Sequence, residues 1–341
     1  MIEDDRRAPD RGRATPVGHI ELGPGAEFDL IRAFVSRLAD GAGGIGGDCA
    51  VVAMPPDSKL VLSTDTSVEN VHFRRSWITP AEIGYRATAA ALSDLAAAGA
   101  TPVAIVVAVS APVVWLSDLP TVAGGTGAAA RDAGTVVVGG DTTSGPVLSL
   151  TVTVAGASER PLFRSGARPG DRVYVTGRLG GPAAAVHAWT HGAEPDAATR
   201  ARFAHPVPRL REGQWLAARG ATAAIDVSDG LVADLRHLAA ASGVRLSLDL
   251  DRLLRWPGAT ALEGASSGEE YELALTAGAA LDTVAFEREF GLPLTHVGDV
   301  LPGSGTVDAH VAGVRIASIP GYDHFSASPP LGTERRDPES R

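Results

Sequence analysis

The sequence predicts an α/β protein of two similar domains, and three observations carry the prediction. Strand-like apolar runs alternate with helical patterns along the chain. Each half repeats one layout: a strand near an aspartate, a helix, then further strands. Between the halves, residues 159–171 are irregular and hold Arg160-Pro161, Arg164-Ser165-Gly166 and Arg168-Pro169-Gly170-Asp171, which marks a boundary. The expected organisation is a tail over residues 1–24, a first domain over 25–158, a second over 159–326 and a tail over 327–341. Both tails have the charged or Gly/Pro-rich composition expected of disordered segments.

A helix follows the first tail, with Phe28, Ile31, Val35 and Leu38 on one face and Gly41 past its end. Strands are expected at 50–53 and 60–63. Thr79-Pro80-Ala81-Glu82 is a capping box with proline at the first helical position, and its helix runs to about Ala98. Ile83, Ala87, Ala90, Ala91, Asp94 and Ala98 share a face of it. An aspartate among alanines is costly to bury unless it is paired or bound to metal.

Strands follow at 103–109, 135–138 and 148–154, with a helix at 119–132. The second unit opens on Val173-Tyr174-Val175. Gly177-Arg178-Leu179-Gly180-Gly181 leads into a helix from Pro182; it lacks Gly-x-Gly-x-x-Gly spacing and reads as a plain strand-to-helix turn. At Ile225-Asp226-Val227-Ser228-Asp229-Gly230 a strand feeds a helix with Leu231, Leu235 and Leu238 on its apolar face and Gly243 at its end. Ser228 or Asp229 can cap that helix, but capping does not explain both, nor Asp226. Further strands are expected near 245–248, 273–276 and 296–300.

A net charge of −10 argues against a nucleic-acid binder. No apolar run approaches the ~18 residues of a membrane span. Met1-Ile2-Glu3-Asp4-Asp5 opens no signal-peptide pattern. Cys49 is the single cysteine, which forbids an internal disulfide and fits a reducing, cytoplasmic setting. In Asp48-Cys49-Ala50-Val51-Val52 it reads as a small core residue.

Aspartates recur at the edges of apolar runs among Gly, Ser and Thr: Gly47-Asp48, Ser63-Thr64-Asp65, Ser93-Asp94, Gly140-Asp141 and Asp226-Val227-Ser228-Asp229. Such strand ends bring backbone and carboxylates close to a ligand, and magnesium takes oxygen ligands that it shares with substrate phosphates. Lys59 is the only lysine. Neither a P-loop nor a protein-kinase lysine context exists, so both common ATP-site designs are excluded. The abundance of Ala, Gly and Arg explains the lysine deficit as coding bias and leaves that exclusion intact.

The chain resembles the thiamine-monophosphate kinase family, in the superfamily of aminoimidazole-ribonucleotide synthetase, selenophosphate synthetase and the hydrogenase-maturation ATPases. The matching strings include Gly44-Ile45-Gly46-Gly47-Asp48, Leu62-Ser63-Thr64-Asp65-Thr66, Leu92-Ser93-Asp94-Leu95-Ala96 and Gly139-Gly140-Asp141-Thr142-Thr143. Arg164-Ser165-Gly166, Ile225-Asp226-Val227-Ser228-Asp229-Gly230, Ser267-Gly268-Glu269-Glu270-Tyr271-Glu272-Leu273 and Gly321-Tyr322-Asp323-His324-Phe325 continue the match in order. The last two separate this family from its cousins.

The resemblance implies mixed sheets, with the first domain forming the ATP site and a homodimer interface. It implies magnesium at Asp48, Ser63, Thr64, Asp65, Asp94, Asp141, Asp226 and Asp229. ATP is implied at Gly140, Asp141, Arg164 and Ser228, and thiamine monophosphate at His72, Glu269 and Tyr322. Asp65, Asp141 and Asp226 are the implied catalytic set. The physics agrees: two carboxylates ~4 Å apart repel by about 4 kcal/mol at an effective dielectric of 20, so converging aspartates need divalent cations.

Simpler readings exist. His72 can be a loop histidine, Tyr322 a C-terminal anchor, Arg164 a partner of Asp171, and Glu269-Glu270 a solvated turn. The family has two aspartates where Gly47-Asp48 stands, an asparagine at Ala91, a glycine at Ser267 and an aspartate at Glu270. Alternatives to kinase activity are another ATP-dependent reaction of the superfamily, or a nucleotide-binding regulatory module with impaired catalysis. The reactive cysteines of selenophosphate synthetase and of the hydrogenase-maturation enzyme have no counterpart near Met1 or in the closing Glu339-Ser340-Arg341.

Overall fold

The computed structural model describes residues 26–45, 48–278 and 280–322. The two expected tails, Gly46, Gly47 and the 323–325 part of the last motif lie outside the described residues. The first half comprises α1 (Ala26–Leu38), β1 (Lys59–Val68), α2 (Pro80–Ala97), β2 (Thr101–Ala111), α3 (Leu119–Asp132), β3 (Val137–Ser144) and β4 (Ser149–Ser158). The second runs β5 (Arg172–Thr176), α4 (Gly181–Thr190), α5 (Ala197–Ala204), α6 (Leu210–Ala218), β6 (Ala221–Asp226), α7 (Leu231–Ser242) and β7 (Val244–Asp249). It closes with α8 (Ala261–Ser266), β8 (Leu273–Ala277), α9 (Thr283–Phe290), β9 (Leu294–Pro302), β10 (Thr306–Val311) and β11 (Val314–Ile316).

Both sheets are mixed. The first has the order β1-β4-β2-β3, with β2 and β3 parallel and the other pairs antiparallel. The second has the order β11-β10-β7-β9-β5-β8-β6, with β7 and β10 parallel and its other pairs antiparallel.

Helix α2 sits between the sheets. Thr79 and Glu82 close the expected capping box at its start. Its apolar side, with Ala91, Leu92 and Leu95, joins Ile105, Val107, Leu150 and Val152 of the first sheet in one cluster. That cluster continues to Tyr174, Leu273 and Leu275 on one face of the second sheet. A second cluster, around Leu231, Leu235 and Leu238 of α7, covers the other face. Helices α2 and α3 cross at glycines. A Cβ on Gly84 would stand 1.9 Å from the Val122 carbonyl oxygen, and one on Gly125 would stand 1.7 Å from that of Ala81. Small residues therefore let the two backbones touch near the start of α2, the helix that carries Asp94.

Three local expectations change. Residues 50–53 form no strand, and Val51 is 98% exposed. Cys49 is exposed rather than in the core. The run at 135–138 enters its strand only at Val137, because Gly134 turns the chain with positive φ and Thr135 closes the helix end by bonding to the Ala130 carbonyl. Among the described residues no helix is long and apolar enough to cross a membrane.

Candidate active site

A cleft of about 510 Å3 opens where the two halves meet. Strand β1 brings Thr64 and Asp65 to it, the turn after β1 brings His72, and α2 brings Ala90 and Asp94. From the second half come Asp226 at the end of β6, Ser228 and Asp229 in the following turn, Glu269 and Tyr271 before β8, and Tyr322.

The two halves are joined directly by acid and hydroxyl groups. Ser63 donates to Asp94 at 2.5 Å, within the first half. Ser93, fully buried beside Asp94 on α2, donates to Asp226 at 2.8 Å and so ties α2 to β6. Asp65 accepts from the Thr66 backbone N–H at 2.7 Å. Neither Ser228 nor Asp229 caps α7. Instead Asp234, in the first turn of that helix, reaches back and accepts from both of their backbone N–H groups, at 3.0 and 3.1 Å. The cap is inverted, which leaves the side chains of Ser228 and Asp229 to the cleft.

Burial and crowding raise the acids. Burial pushes the Asp94 carboxyl up, opposed by the Ser63 hydrogen bond and the Arg164 charge. Burial, then the charges of Asp94 and Asp65, push Asp226 up to about 7. Asp234 rises to about 8 through burial and the charges of Asp226 and Asp229. Among the described residues no group of three acidic, histidine or cysteine side chains encloses a metal by itself. Asp65, Asp94 and Asp226, hard oxygen donors that line one cleft, are the residues that would hold magnesium, with waters and substrate phosphates completing its shell.

The pKa shifts set a sign. Asp226 and Asp234 ionise near 4 when unfolded and near 7 and 8 when folded. Their contribution to stability is complete below pH 4 and is lost as pH rises through 7 to 8. Without divalent cations, the melting temperature is expected to fall by about 5 °C between pH 5.5 and pH 8.5. Magnesium should recover more of it at pH 8.5 than at pH 5.5. Calorimetry in EDTA checks this; a melting temperature that climbs steadily over that interval would exclude the crowded-acid account.

Several expected residues stand apart. Asp48 is exposed in the irregular segment before β1. Asp65, Val152, Val107 and Gly140 form one row across the first sheet, and Asp141 lies in the next row on the far strand β3. Asp141 is exposed and lies outside the cleft lining within one chain. Arg164 does not pair with Asp171, whose carboxylate accepts from Arg168 N–H and Thr222 Oγ1; its charge bears on Asp94.

Other residues were not anticipated. Arg86, buried on α2, pairs with Glu269 and donates to the Phe203 carbonyl. Glu270 and Glu272 are buried rather than solvated, 0% and 1% exposed, and both meet Arg202. Arg209 donates to Glu272 at 2.8 Å through Nε. One signal for Arg86 was available: Arg86, Ala90 and Ser93 stand at i, i+4 and i+7, one stripe of α2.

The AIR synthase related protein family matches in both parts, its N-terminal domain over residues 46–158 and its C-terminal domain over residues 168–310. Thiamine-monophosphate kinase of Salmonella typhimurium is 36% identical over 331 residues, covering 88% of this chain and 98% of that protein. The crystal structure of thiamine-monophosphate kinase from Stenotrophomonas maltophilia K279a superposes with a TM-score of 0.73 at 35% identity, over 85% of this chain and 98% of that one. AaThiL complexed with AMPPCP and TMP superposes with a TM-score of 0.70 at 28% identity, over 88% of this chain and 97% of that one. With its motifs collinear and its length spanned, the chain belongs to the thiamine-monophosphate kinase family, within the AIR synthase related proteins.

Proposed function

We propose that the protein transfers the γ-phosphoryl group of ATP to thiamine monophosphate, giving thiamine diphosphate and ADP. The observation that carries this is the cleft in which carboxylates from both halves, Asp65, Asp94 and Asp226, come together with His72, Glu269 and Tyr322. Thiamine monophosphate is assigned to His72, Glu269 and Tyr322, and ATP to Gly140, Asp141, Arg164 and Ser228. The magnesium shell is assigned to Asp48, Ser63, Thr64, Asp65, Asp94, Asp141, Asp226 and Asp229. When bound, magnesium neutralises the anionic phosphates and the charge in transfer.

The chain's own groups bind and orient. His72 Nδ1 accepts from Val68 N–H at 3.1 Å, which orients the ring at the cleft. Glu269 offers negative charge to a cationic thiazolium, and Arg86 holds it from behind. Tyr322 offers an aromatic face to the same cation, a contact worth about 0.5–2 kcal/mol. The acceptor is a phosphate oxygen already ionised near neutral pH, so no general base is required. Transfer is direct and in line, and catalysis comes from positioning and electrostatics.

A homodimer and a cytoplasmic setting belong to the same reading. Leu60, Leu62 and Val106 are 54%, 62% and 40% exposed on the face of the first sheet turned away from α2. A second copy laid on that face covers them and approaches β3, where Gly140 and Asp141 stand outside the cleft of their own chain. The test is acceptor preference: with magnesium and ATP, thiamine monophosphate should turn over and free thiamine should be inert. Phosphorylation of thiamine, with none of its monophosphate, would overturn the assignment.

A further inference from the structure

One polar side chain in the cleft has no part in the reaction as described above. Tyr271 is 6% exposed and lines the cleft. Among the described residues its hydroxyl forms no hydrogen bond. The charges of Asp65, Asp94 and Asp226 all reach that hydroxyl, while Arg86 lies 5.8 Å from the ring centroid. Burial, reinforced by those carboxylates, raises its pKa above that of an ordinary phenol, so the group is an O–H donor throughout the neutral range. The hydroxyl itself reaches the open space of the cleft, where it can donate to a ligand.

The backbone is bent to put it there. Glu269 and Tyr271 have φ of 61° and 54°, the left-handed region that is a real outlier for a bulky residue. Glu270 anchors the turn between them. Its carboxylate accepts from Ser267 Oγ at 2.5 Å, Gly180 N–H at 2.5 Å and Arg202 Nη2 at 3.1 Å. The N–H groups of Glu269 and Tyr271 donate to the carbonyls of Ser228 and Val227, at 2.6 and 2.8 Å. Glu270 thus points inward, and both of its neighbours line the cleft. A strained turn held by so many bonds marks a position that the fold maintains against its own conformational preference.

We propose that Tyr271 is a further substrate-binding residue, whose phenol O–H donates to the phosphate of thiamine monophosphate at the edge of the carboxylate cluster. The inference rests on the thiamine-monophosphate kinase reading of the cleft. The phosphate is the acceptor that this reading brings beside the carboxylates, and a thiazolium or pyrimidine face would leave the O–H unpaired. The strained turn fixes the donor before the substrate arrives, so little ordering is left for binding.

Tyr271→Phe removes the oxygen and keeps the ring. Calorimetric titration in magnesium buffer, with thiamine monophosphate and free thiamine as separate probes, tests the contact. The variant is expected to bind thiamine monophosphate about tenfold or more weakly and to bind thiamine as the wild type does. The KM for thiamine monophosphate should rise, with the KM for ATP and the melting temperature unchanged. Equal weakening toward both probes would make Tyr271 a packing residue and overturn the inference, as would no change toward either. A wild-type protein that binds neither probe would instead strike the reading of the cleft itself.

Discussion

Asp226→Asn is expected to lower turnover of thiamine monophosphate by about 1,000-fold or more while raising the stability of the cation-free protein. The two effects have one cause. Asp226 is buried beside Asp94 and accepts from Ser93, so its charge is unfavourable in the absence of a cation. Asparagine keeps the shape and the acceptor for Ser93 and removes the charge. Above pH 7, where Asp226 ionises, the variant should melt several degrees higher than the wild type in EDTA. Gain of stability with loss of activity is the mark of a residue kept for function. Asp65→Asn and Asp141→Asn should lose activity to a similar extent with the fold retained. Near-normal turnover in Asp226→Asn, or a lower melting temperature in EDTA at pH 8.5, would remove Asp226 from the assigned role.

Arg202→Met is expected to cost about 3–5 kcal/mol of stability at pH 8.5, the scale for breaking a buried ion pair from one side. Arg202 Nη2 meets Glu270 Oε2 at 3.1 Å, the Glu270 carbonyl at 2.8 Å and Glu272 Oε1 at 3.0 Å. Arg209 still compensates Glu272 in the variant; among the described residues no second cation pairs with Glu270. Burial already pushes Glu270 up to about 7 against the Arg202 charge. Without Arg202 it rises further, and the protonated form can be tolerated at low pH. The destabilisation should therefore grow from pH 5.5 to pH 8.5, because a raised carboxyl loses its contribution as pH climbs through the folded value. Adding Glu270→Gln should recover part of the loss. Urea unfolding at both pH values measures this, and a difference under 1 kcal/mol at pH 8.5 would show that the network contributes little.

Most of the frame was legible because local patterns set it. The Thr79-Pro80-Ala81-Glu82 box starts α2 where expected, and the pattern at 119–132 is the whole of α3. The aspartates at 65, 94 and 226 were legible as a group, and they do converge. What escaped notice depends on distant partners. The run at 50–53 has strand composition but no strand beside it. Short helices such as α5 and α6 carry few periodic residues, and tertiary packing decides them. Glu270 looks solvated, as part of a Glu269-Glu270 turn, until Arg202, sixty-eight positions away, arrives in space. No local pattern marks Asp234, and only the folded turn reveals that it reaches back to Ser228 and Asp229.

The central claim is that this carboxylate-lined cleft moves a phosphoryl group directly from one phosphate to another. A single turnover with γ-labelled ATP, magnesium, excess enzyme and thiamine monophosphate tests it. The account predicts that the label passes from ATP into the terminal phosphate of thiamine diphosphate as ADP forms, with none retained on the protein. Label recovered as free phosphate, or held covalently on the enzyme, would contradict it.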